Sequence, residues 1–180
     1  MSESVGRLRR HLALIDDGVA PVVARYREHI QCRPGCSSCC HQTFKVSELE
    51  GALLHVGLAA APADERAAIV ARARAWTPDA RLPCPALGDD GHCRLYDHRP
   101  RICRKFGIPL WSADRPDELR TCELNFNGVA DLDPDLLVDP QAAWAADWIR
   151  LRAELGLGRA DNRPIAAWLR EPAGDDGVTA

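Results

Sequence analysis

The fold of this chain depends on the stretch Cys32-Arg33-Pro34-Gly35-Cys36-Ser37-Ser38-Cys39-Cys40. This stretch holds four of the eight cysteines in the sequence, and the cysteine thiolate is a soft ligand that favours soft metal centres. The Pro-Gly pair and the two serines permit the tight curvature that brings several sulfurs to one side of a loop. The spacing therefore predicts a metal-binding loop.

The other four cysteines are Cys84, Cys93, Cys103 and Cys122, on segments rich in Pro, Gly, Asp or Arg. Cysteine also packs well as a free thiol in apolar cores, but these polar surroundings do not favour that interpretation. We therefore expect all eight cysteines to be candidate ligands. The side chains of neighbouring residues such as Cys39 and Cys40 diverge in most backbone conformations. The sequence thus leaves open two four-thiolate centres, or one centre with spare thiols.

Two kinds of centre suit such a ligand set. Zinc takes four thiolates in a closed tetrahedron and braces the fold, whereas an iron–sulfur cluster such as 4Fe-4S uses the same ligands and adds redox chemistry. Basic residues near the cysteines are placed to offset the thiolate charge: Arg33, Arg94, Arg99, Arg101, Arg104 and Lys105. His41, His92 and His98 stand next to the cysteines or a few residues from one, where a histidine is either a ligand or a neighbour that supports one.

Charge and composition limit the partners. The chain has 180 residues, with 23 basic against 26 acidic side chains and a net charge of −3, which does not indicate a nucleic-acid or membrane surface. The first ten residues have no apolar run of the kind a secretory signal needs. We therefore expect a cytoplasmic protein, in which clustered cysteines are metal ligands rather than disulfides. Export would favour a disulfide framework instead.

The regular patterns predict helices at both ends of the chain. Apolar residues recur at helical spacing over 4–30, where Gly18 and Pro21 predict either a kink or two helices that meet. Ser47 and Glu50 form a capping-box pattern that starts a second helix, and 62–76 predicts a third. Asp139 and Pro140 predict the cap and first residue of a C-terminal helix.

The stretch 77–127 has no regular period. Its turn Gly88-Asp89-Asp90-Gly91 predicts a short hairpin with Cys84 and Cys93 on its two arms. The expected fold class is mainly α: a small, irregular, metal-organised domain with a short β-hairpin, flanked by N- and C-terminal helices. The expected division is a helical segment at 1–30, a metal-binding domain at 31–127, a helical segment at 128–170 that packs on it, and a disordered tail at 171–180.

The ordered motifs resemble a known family. Cys32 through Cys40 is followed by Ser47-x-x-Glu50, Cys84-Pro85-x-Leu87, Gly91-x-Cys93-x-x-Tyr96 and Arg99-Pro100-x-x-Cys103-Arg104. This combination resembles the bacterial YkgJ-like cysteine-cluster proteins, a family described as zinc- or iron-chelating. The resemblance implies metal or iron–sulfur binding through the matched cysteines. The first spacing here is C-x3-C, where the family's name motif has C-x2-C.

Three functions follow as hypotheses. The first is a metal-binding protein that holds an iron–sulfur cluster or zinc and acts as a redox, metal-handling or accessory module. The second is a cluster-dependent enzyme, because a related cysteine-rich segment occurs in the flagellin lysine N-methylases. The third is a zinc-braced adaptor whose Trp144/Trp148 face binds a protein partner. Radical S-adenosylmethionine enzymes share the C-x3-C-x2-C spacing, but this chain is short for their barrel and no glycine-rich cofactor segment follows.

Overall fold

The chain is mainly α-helical. The computed structural model describes residues 2–33, 35–112, 114–158 and 162–170, and six α-helices and four short β-strands lie in these ranges. They form two compact units: the first comprises the described parts of Met1–Cys36 and Arg101–Gly158, and the second those of Ser37–Pro100 and Arg159–Ala180. The sequence-based division at 30, 127 and 170 stays a prediction, and the tail at 171–180 lies outside the described residues.

Helix α1 (Ser2–Arg25) runs through the predicted break without ending. Gly18 and Pro21 both lie inside it, so the sequence pattern is that of one helix rather than two. The apolar spacing explains its buried face, formed by Val5, Leu8, Leu12, Ile15 and Val22. The neighbouring Val23 lies off this face and is 39% exposed.

In the first unit, α1 packs against α5 (Pro134–Glu154). A tryptophan lies over a glycine at this contact: a Cβ atom added to Gly18 would lie 2.4 Å from Cζ2 of Trp144. The indole N–H of Trp144 donates to the carbonyl of Leu14 at 3.0 Å. Trp144 and Trp148 are only 4% and 8% exposed, so they belong to the core of this unit. The predicted partner-binding face at Trp144/Trp148 is therefore wrong, because both side chains are covered within the unit itself.

Helix α5 begins earlier than predicted. Asp133 is its N-cap and Pro134 stands in its first turn, while Pro140, predicted as the first helical residue, lies inside the helix. Asp133 accepts a hydrogen bond from the Asp135 amide at 3.0 Å. Both Asp-Pro pairs carry the same local signal, and the earlier start places Leu137, which is 0% exposed, on the buried face. Packing of that extra turn decides between two equivalent local signals.

Two further elements complete the first unit. Helix α4 (Arg101–Lys105) packs on α1. A hairpin of β2 (Leu110–Ser112) and β3 (Arg115–Arg120) follows, in a part of 77–127 where no strand was predicted. The buried amide of Gln141 on α5 supports it by accepting from the Trp111 N–H at 3.0 Å.

The second unit contains α2 (Glu48–Ala60) and α3 (Ala63–Ala75). The predicted capping box is present: Ser47 Oγ accepts from the Glu50 N–H at 3.3 Å and the Glu50 carboxylate accepts from the Ser47 N–H at 3.0 Å. Both residues are buried, at 3% and 5% exposure. The sequence therefore located the start of α2 correctly.

The C-terminal end of the described chain joins the second unit. Strand β1 (Lys45–Val46) pairs antiparallel with β4 (Arg163–Pro164), and α6 (Ile165–Arg170) packs on α2 and α3. Trp168 of α6 lies over Gly51 of α2, whose added Cβ would be 2.4 Å from the indole Cδ2. None of the helices in the described ranges combines the length and apolar composition that a bilayer crossing requires.

Candidate metal centre

The second unit contains Cys39, Cys40, Cys84 and Cys93, which we call the second-unit cysteines. Cys39 and Cys40 lie in a 3-10 turn, Ser38–His41. The Cys40 N–H donates to the Ser37 carbonyl at 2.8 Å and the Gln42 N–H donates to the Cys39 carbonyl at 3.2 Å. This tight turn holds the adjacent cysteines in one short, hydrogen-bonded segment.

The backbone joins this turn to the second cysteine segment. The Cys84 N–H donates to the Cys40 carbonyl at 2.7 Å, which ties the two loops together. The predicted hairpin around Gly88–Gly91 is reduced to a single antiparallel bridge between Leu87 and Cys93. Gly91 adopts φ 77°, a left-handed conformation that favours glycine, and this turn brings Cys93 back toward Cys84.

The four second-unit thiols interact electrostatically. A hydrogen bond from the Cys40 thiol lowers the pKa of Cys39 to about 7. The same bond raises the pKa of Cys40 well above its ordinary value, and burial and the charges of Cys39, Cys84 and Cys93 raise it further. Burial raises the pKa of Cys84 to about 11 and also raises the pKa of Cys93. Neighbouring thiols that interact in this way cannot all ionise unless a cation balances their charge.

Arginines offset part of the thiolate charge. The sequence predicted this for Arg94 and Arg99. Arg99 lowers the pKa of both Cys39 and Cys93, and Arg94 also lowers that of Cys93. Arg72, which the sequence did not single out, lowers the pKa of Cys84 and donates to the Pro85 carbonyl at 2.8 Å. Arg72 belongs to the Ala-rich α3, so its spacing in the sequence carries no signal of a role beside a cysteine.

The donor chemistry of the second-unit cysteines fits a soft metal. Four sulfur ligands match zinc or an iron–sulfur centre. After the Cys39 hydrogen bond and burial, repulsion from the other thiolates also raises the Cys40 pKa, and a bound cation would relieve that repulsion. Across the described ranges, no group of three or more Cys, His, Asp or Glu side chains stands in an arrangement that could already hold a metal ion. The structure thus shows thiols brought together, and it does not show a coordination shell.

The first unit contains the other four cysteines: Cys32, Cys36, Cys103 and Cys122, the first-unit cysteines. Cys32 is exposed and Cys122 buried, while Cys36 and Cys103 are intermediate. Cys36 follows a turn in which its N–H donates to the Arg33 carbonyl at 2.9 Å, and Cys103 lies on α4. The nine-residue stretch from Cys32 to Cys40 is therefore divided between the two units after Cys36.

Asn125 connects the segments around the first-unit cysteines. It is 1% exposed, and its side-chain oxygen accepts from the Gln31 N–H at 2.8 Å. Its Nδ2 donates to the Gly107 carbonyl at 2.6 Å and to Cys32 Sγ at 3.3 Å. Its own N–H donates to the Cys122 carbonyl at 2.9 Å. Sequence reasoning missed this residue, because a single asparagine after a cysteine has no distinctive pattern.

The three candidate histidines have other positions. His92 is exposed, and both its N–H and its ring Nδ1 bond to Asp90, at 3.1 and 3.0 Å. The ring of His98 lies against α2, so that a Cβ added to Gly57 would be 2.6 Å from its Cγ. His41 ends the cysteine turn as an exposed residue. Their role as ligands stays a prediction.

Comparison with known proteins identifies the family of this chain. A family model described as "CxxCxxCC: Putative zinc- or iron-chelating domain" matches residues 31–123, which is more than half of the chain. The chain belongs to this family. This cysteine-cluster protein is accordingly a zinc- or iron-chelating protein, and the resemblance inferred from its ordered motifs is confirmed. No curated protein and no solved structure gives a significant match.

Proposed function

We propose that the cysteine-cluster protein holds zinc or an iron–sulfur cluster through its cysteine thiolates and serves as a redox, metal-handling or accessory module. The observation that carries the proposal is the hydrogen bond from the Cys84 N–H to the Cys40 carbonyl at 2.7 Å, which joins the two cysteine segments of the second unit. The pKa of Cys40 is raised by its hydrogen bond with Cys39, then by burial, and also by the charges of Cys39, Cys84 and Cys93. All four of these cysteines are free thiols, and a soft cation is the partner that suits thiolate ligands best.

The protein's own groups would have two tasks at this centre. Cys39, Cys40, Cys84 and Cys93 would supply the thiolates, and Arg99 would offset part of their charge. When bound, zinc supplies structural bracing and a cluster supplies electron transfer. Each of these four residues has intermediate exposure, although burial is the main cause of the raised pKa of Cys84 and Cys93, so a centre here would lie just beneath the surface.

The first experiment is metal analysis of the full chain purified anaerobically, with measurement of acid-labile sulfide and a visible spectrum. An iron–sulfur protein gives iron and sulfide in matched amounts and a brown colour, whereas a zinc protein is colourless with stoichiometric zinc and no sulfide. A preparation with neither metal, and with its cysteines paired as disulfides, overturns the proposed function.

A matched variant locates the centre. Cys93→Ser should lower the metal content, because it removes one thiolate of the second-unit set. Ser112→Ala serves as a control on an exposed strand residue of the first unit and should retain the metal of the wild type. Metal content that stays the same in Cys93→Ser contradicts the assignment of this ligand.

A further inference from the structure

We propose that one face of helix α3 holds the segment 82–94, which we call the cysteine loop, in place, and that Arg72 on this face is the positioning residue for Cys84. The loop contains Cys84 and Cys93 and belongs, with α3, to the second unit. The role of Arg72 toward a metal rests on the proposed function, because it requires Cys84 to be a ligand. The contacts between the helix and the loop do not depend on that function.

The face is formed by Glu65, Arg72 and the C-cap residue Trp76. Their spacing of seven and then four residues places the three side chains on one side of the helix. Ile69 and Ala73 lie on the same side and are 0% exposed. This face is therefore anchored in the core of the second unit, and its polar side chains extend from a fixed backbone.

These three side chains bond to the cysteine loop at three points: one before Cys84, one directly after it and one directly after Cys93. The bonds run from Trp76 Nε1 to the Leu82 carbonyl at 3.2 Å, from Arg72 Nε to the Pro85 carbonyl at 2.8 Å, and from the Glu65 carboxylate to Arg94 at 3.0 Å. Helix α3 thus binds the chain beside both cysteines of the loop.

The contact of Arg72 acts most directly on Cys84. Pro85, whose carbonyl it bonds, is the next residue and is buried, and a buried carbonyl needs a donor. A charged guanidinium makes a stronger hydrogen bond than a neutral donor. The Glu65–Arg94 pair contributes less, because its side chains are 28% and 34% exposed and partly exposed ion pairs are weak.

Bonds within the loop connect its two cysteine positions. The Leu87 N–H donates to the Cys84 carbonyl at 2.9 Å, and the Arg94 N–H donates to the Ala86 carbonyl at 2.7 Å. The Arg94 side chain lies over Gly88, where an added Cβ would be 2.5 Å from the Arg94 Nε. A bond from α3 to one residue of the loop therefore restrains the residues around both cysteines.

A second arginine fixes the end of α3. Arg170 of α6 donates from Nε to the Ala73 carbonyl at 2.9 Å and from Nη2 to the Trp76 carbonyl. Carbonyls at the end of a helix have no partner within the helix itself, and here a side chain from another helix supplies one. The last turn of α3, with Arg72 and Trp76, is therefore held in a defined position.

Hydrogen exchange tests whether Arg72 holds the loop, in the full chain purified anaerobically with the metal it carries. Arg72→Met keeps an apolar stem and removes the charged donor, so the amides of 82–94 should exchange roughly tenfold faster. The control is Arg74→Met at an exposed position of the same helix, which should leave their exchange unchanged. Equal exchange in the wild type and Arg72→Met overturns the proposal.

The positioning role is measured in the cobalt(II)-substituted full chain, produced by expression in cobalt-supplemented medium, because the absorption bands of thiolate-bound cobalt depend on ligand geometry. In competition with EDTA, Arg72→Met should bind cobalt about 10- to 100-fold more weakly, with a shifted sulfur-to-cobalt band. Arg72→Lys keeps a charged donor and should recover part of both properties. Arg74→Met should match the wild type.

Two results overturn the positioning role. The first is faster exchange in Arg72→Met with unchanged cobalt affinity and absorption, which would make Arg72 a structural residue only. The second is an Arg72→Lys variant that binds cobalt no better than Arg72→Met, since the charged donor would then have no part in the effect. A wild type that takes up no cobalt counts against the proposed function and the positioning role together, whereas the contact between α3 and the loop is decided by exchange alone.

Discussion

The two compact units share one packing feature, but their cysteine-bearing segments are connected in different ways. Each places a tryptophan over a helix glycine: Trp144 over Gly18 in the first unit, and Trp168 over Gly51 in the second. In the second unit the sulfurs act on one another directly. In the first, an asparagine connects the backbone segments around them.

This difference shows two physical means of joining segments that carry cysteines. In the second unit a hydrogen bond from the Cys84 N–H to the Cys40 carbonyl joins the two cysteine segments through the backbone. In the first unit the buried side chain of Asn125 bridges the segments around Cys32 and Gly107, and a buried amide of this kind needs such partners. The predictions below test how far this contrast holds, beginning with the largest effect.

Cys36→Ala, Cys103→Ala and Cys84→Ala should each lose metal and much of the fold of the unit that carries the residue. The apparent binding free energy of structural zinc is about 10–16 kcal/mol in small domains, so loss of a ligand should exceed any packing effect. Metal content and the melting temperature of each variant measure it. Unchanged values in both Cys36→Ala and Cys103→Ala would show that these residues are not ligands.

Trp148→Ala should lower the free energy of unfolding by about 3–5 kcal/mol without changing the metal content. Trp148 is 8% exposed, its ring lies 5.3 Å from that of His11, and the Arg101 guanidinium lies 4.1 Å above it. Urea denaturation measures the change. The control is Ile149→Ala, the next residue, which is 63% exposed and should change stability by less than about 0.5 kcal/mol. Loss of metal together with stability would place Trp148 in the support of the first-unit cysteines.

Gly18→Ala and Gly51→Ala should destabilise their respective units by about 1–3 kcal/mol. Each added methyl would lie 2.4 Å from an indole carbon, and each indole is held by its N–H bond, to Leu14 or to Val46. Thermal denaturation measures both. Gly6→Ala is the control on α1, with nothing within 4 Å of the added atom, and alanine there should stabilise the helix by up to about 1 kcal/mol. If Gly18→Ala is as stable as Gly6→Ala, Trp144 does not pack tightly over Gly18, and the two units do not share this packing feature.

Asp147→Asn should remove a smaller, pH-dependent contribution from the first unit only. Burial acts to raise the pKa of Asp147, but hydrogen bonds from His11 and Arg150 outweigh it and the pKa is lowered. A lowered folded-state pKa contributes stability above the unfolded value of about 3.9, and this stability is lost as the pH falls through the folded value. The expected difference from wild type is about 1 kcal/mol at pH 7, and it should decrease as the pH falls below about 3.9.

Urea denaturation of both proteins at each pH measures the Asp147 contribution, and Asp17→Asn, an exposed site on α1, is the control. The difference between wild type and Asp147→Asn at the same pH cancels any shared loss of metal. A difference that is as large at pH 3 as at pH 7 would mean that the carboxylate charge has no part in it.

Much of the helical fold was predictable because its signals are local. The apolar spacing of α1, the capping box at Ser47 and the limits of α3 are each decided within a few residues. The start of α5 was not predictable, because Asp133-Pro134 and Asp139-Pro140 are equivalent local signals. Only the burial of Leu137 distinguishes them. The pairing of β1 with β4 was also beyond prediction, since it joins two-residue strands from distant parts of the chain.

The sequence by itself determined the family, the mainly helical class and the eight candidate sulfurs, because residue type and spacing carry that information directly. Only the tertiary structure decided which sulfurs share a unit, since a stretch of nine residues is divided between two units after Cys36. It alone also revealed Asn125 and Gly107 beside Cys32. A hydrogen bond or a close approach between distant residues depends on where the chain returns, and spacing along the sequence does not record it.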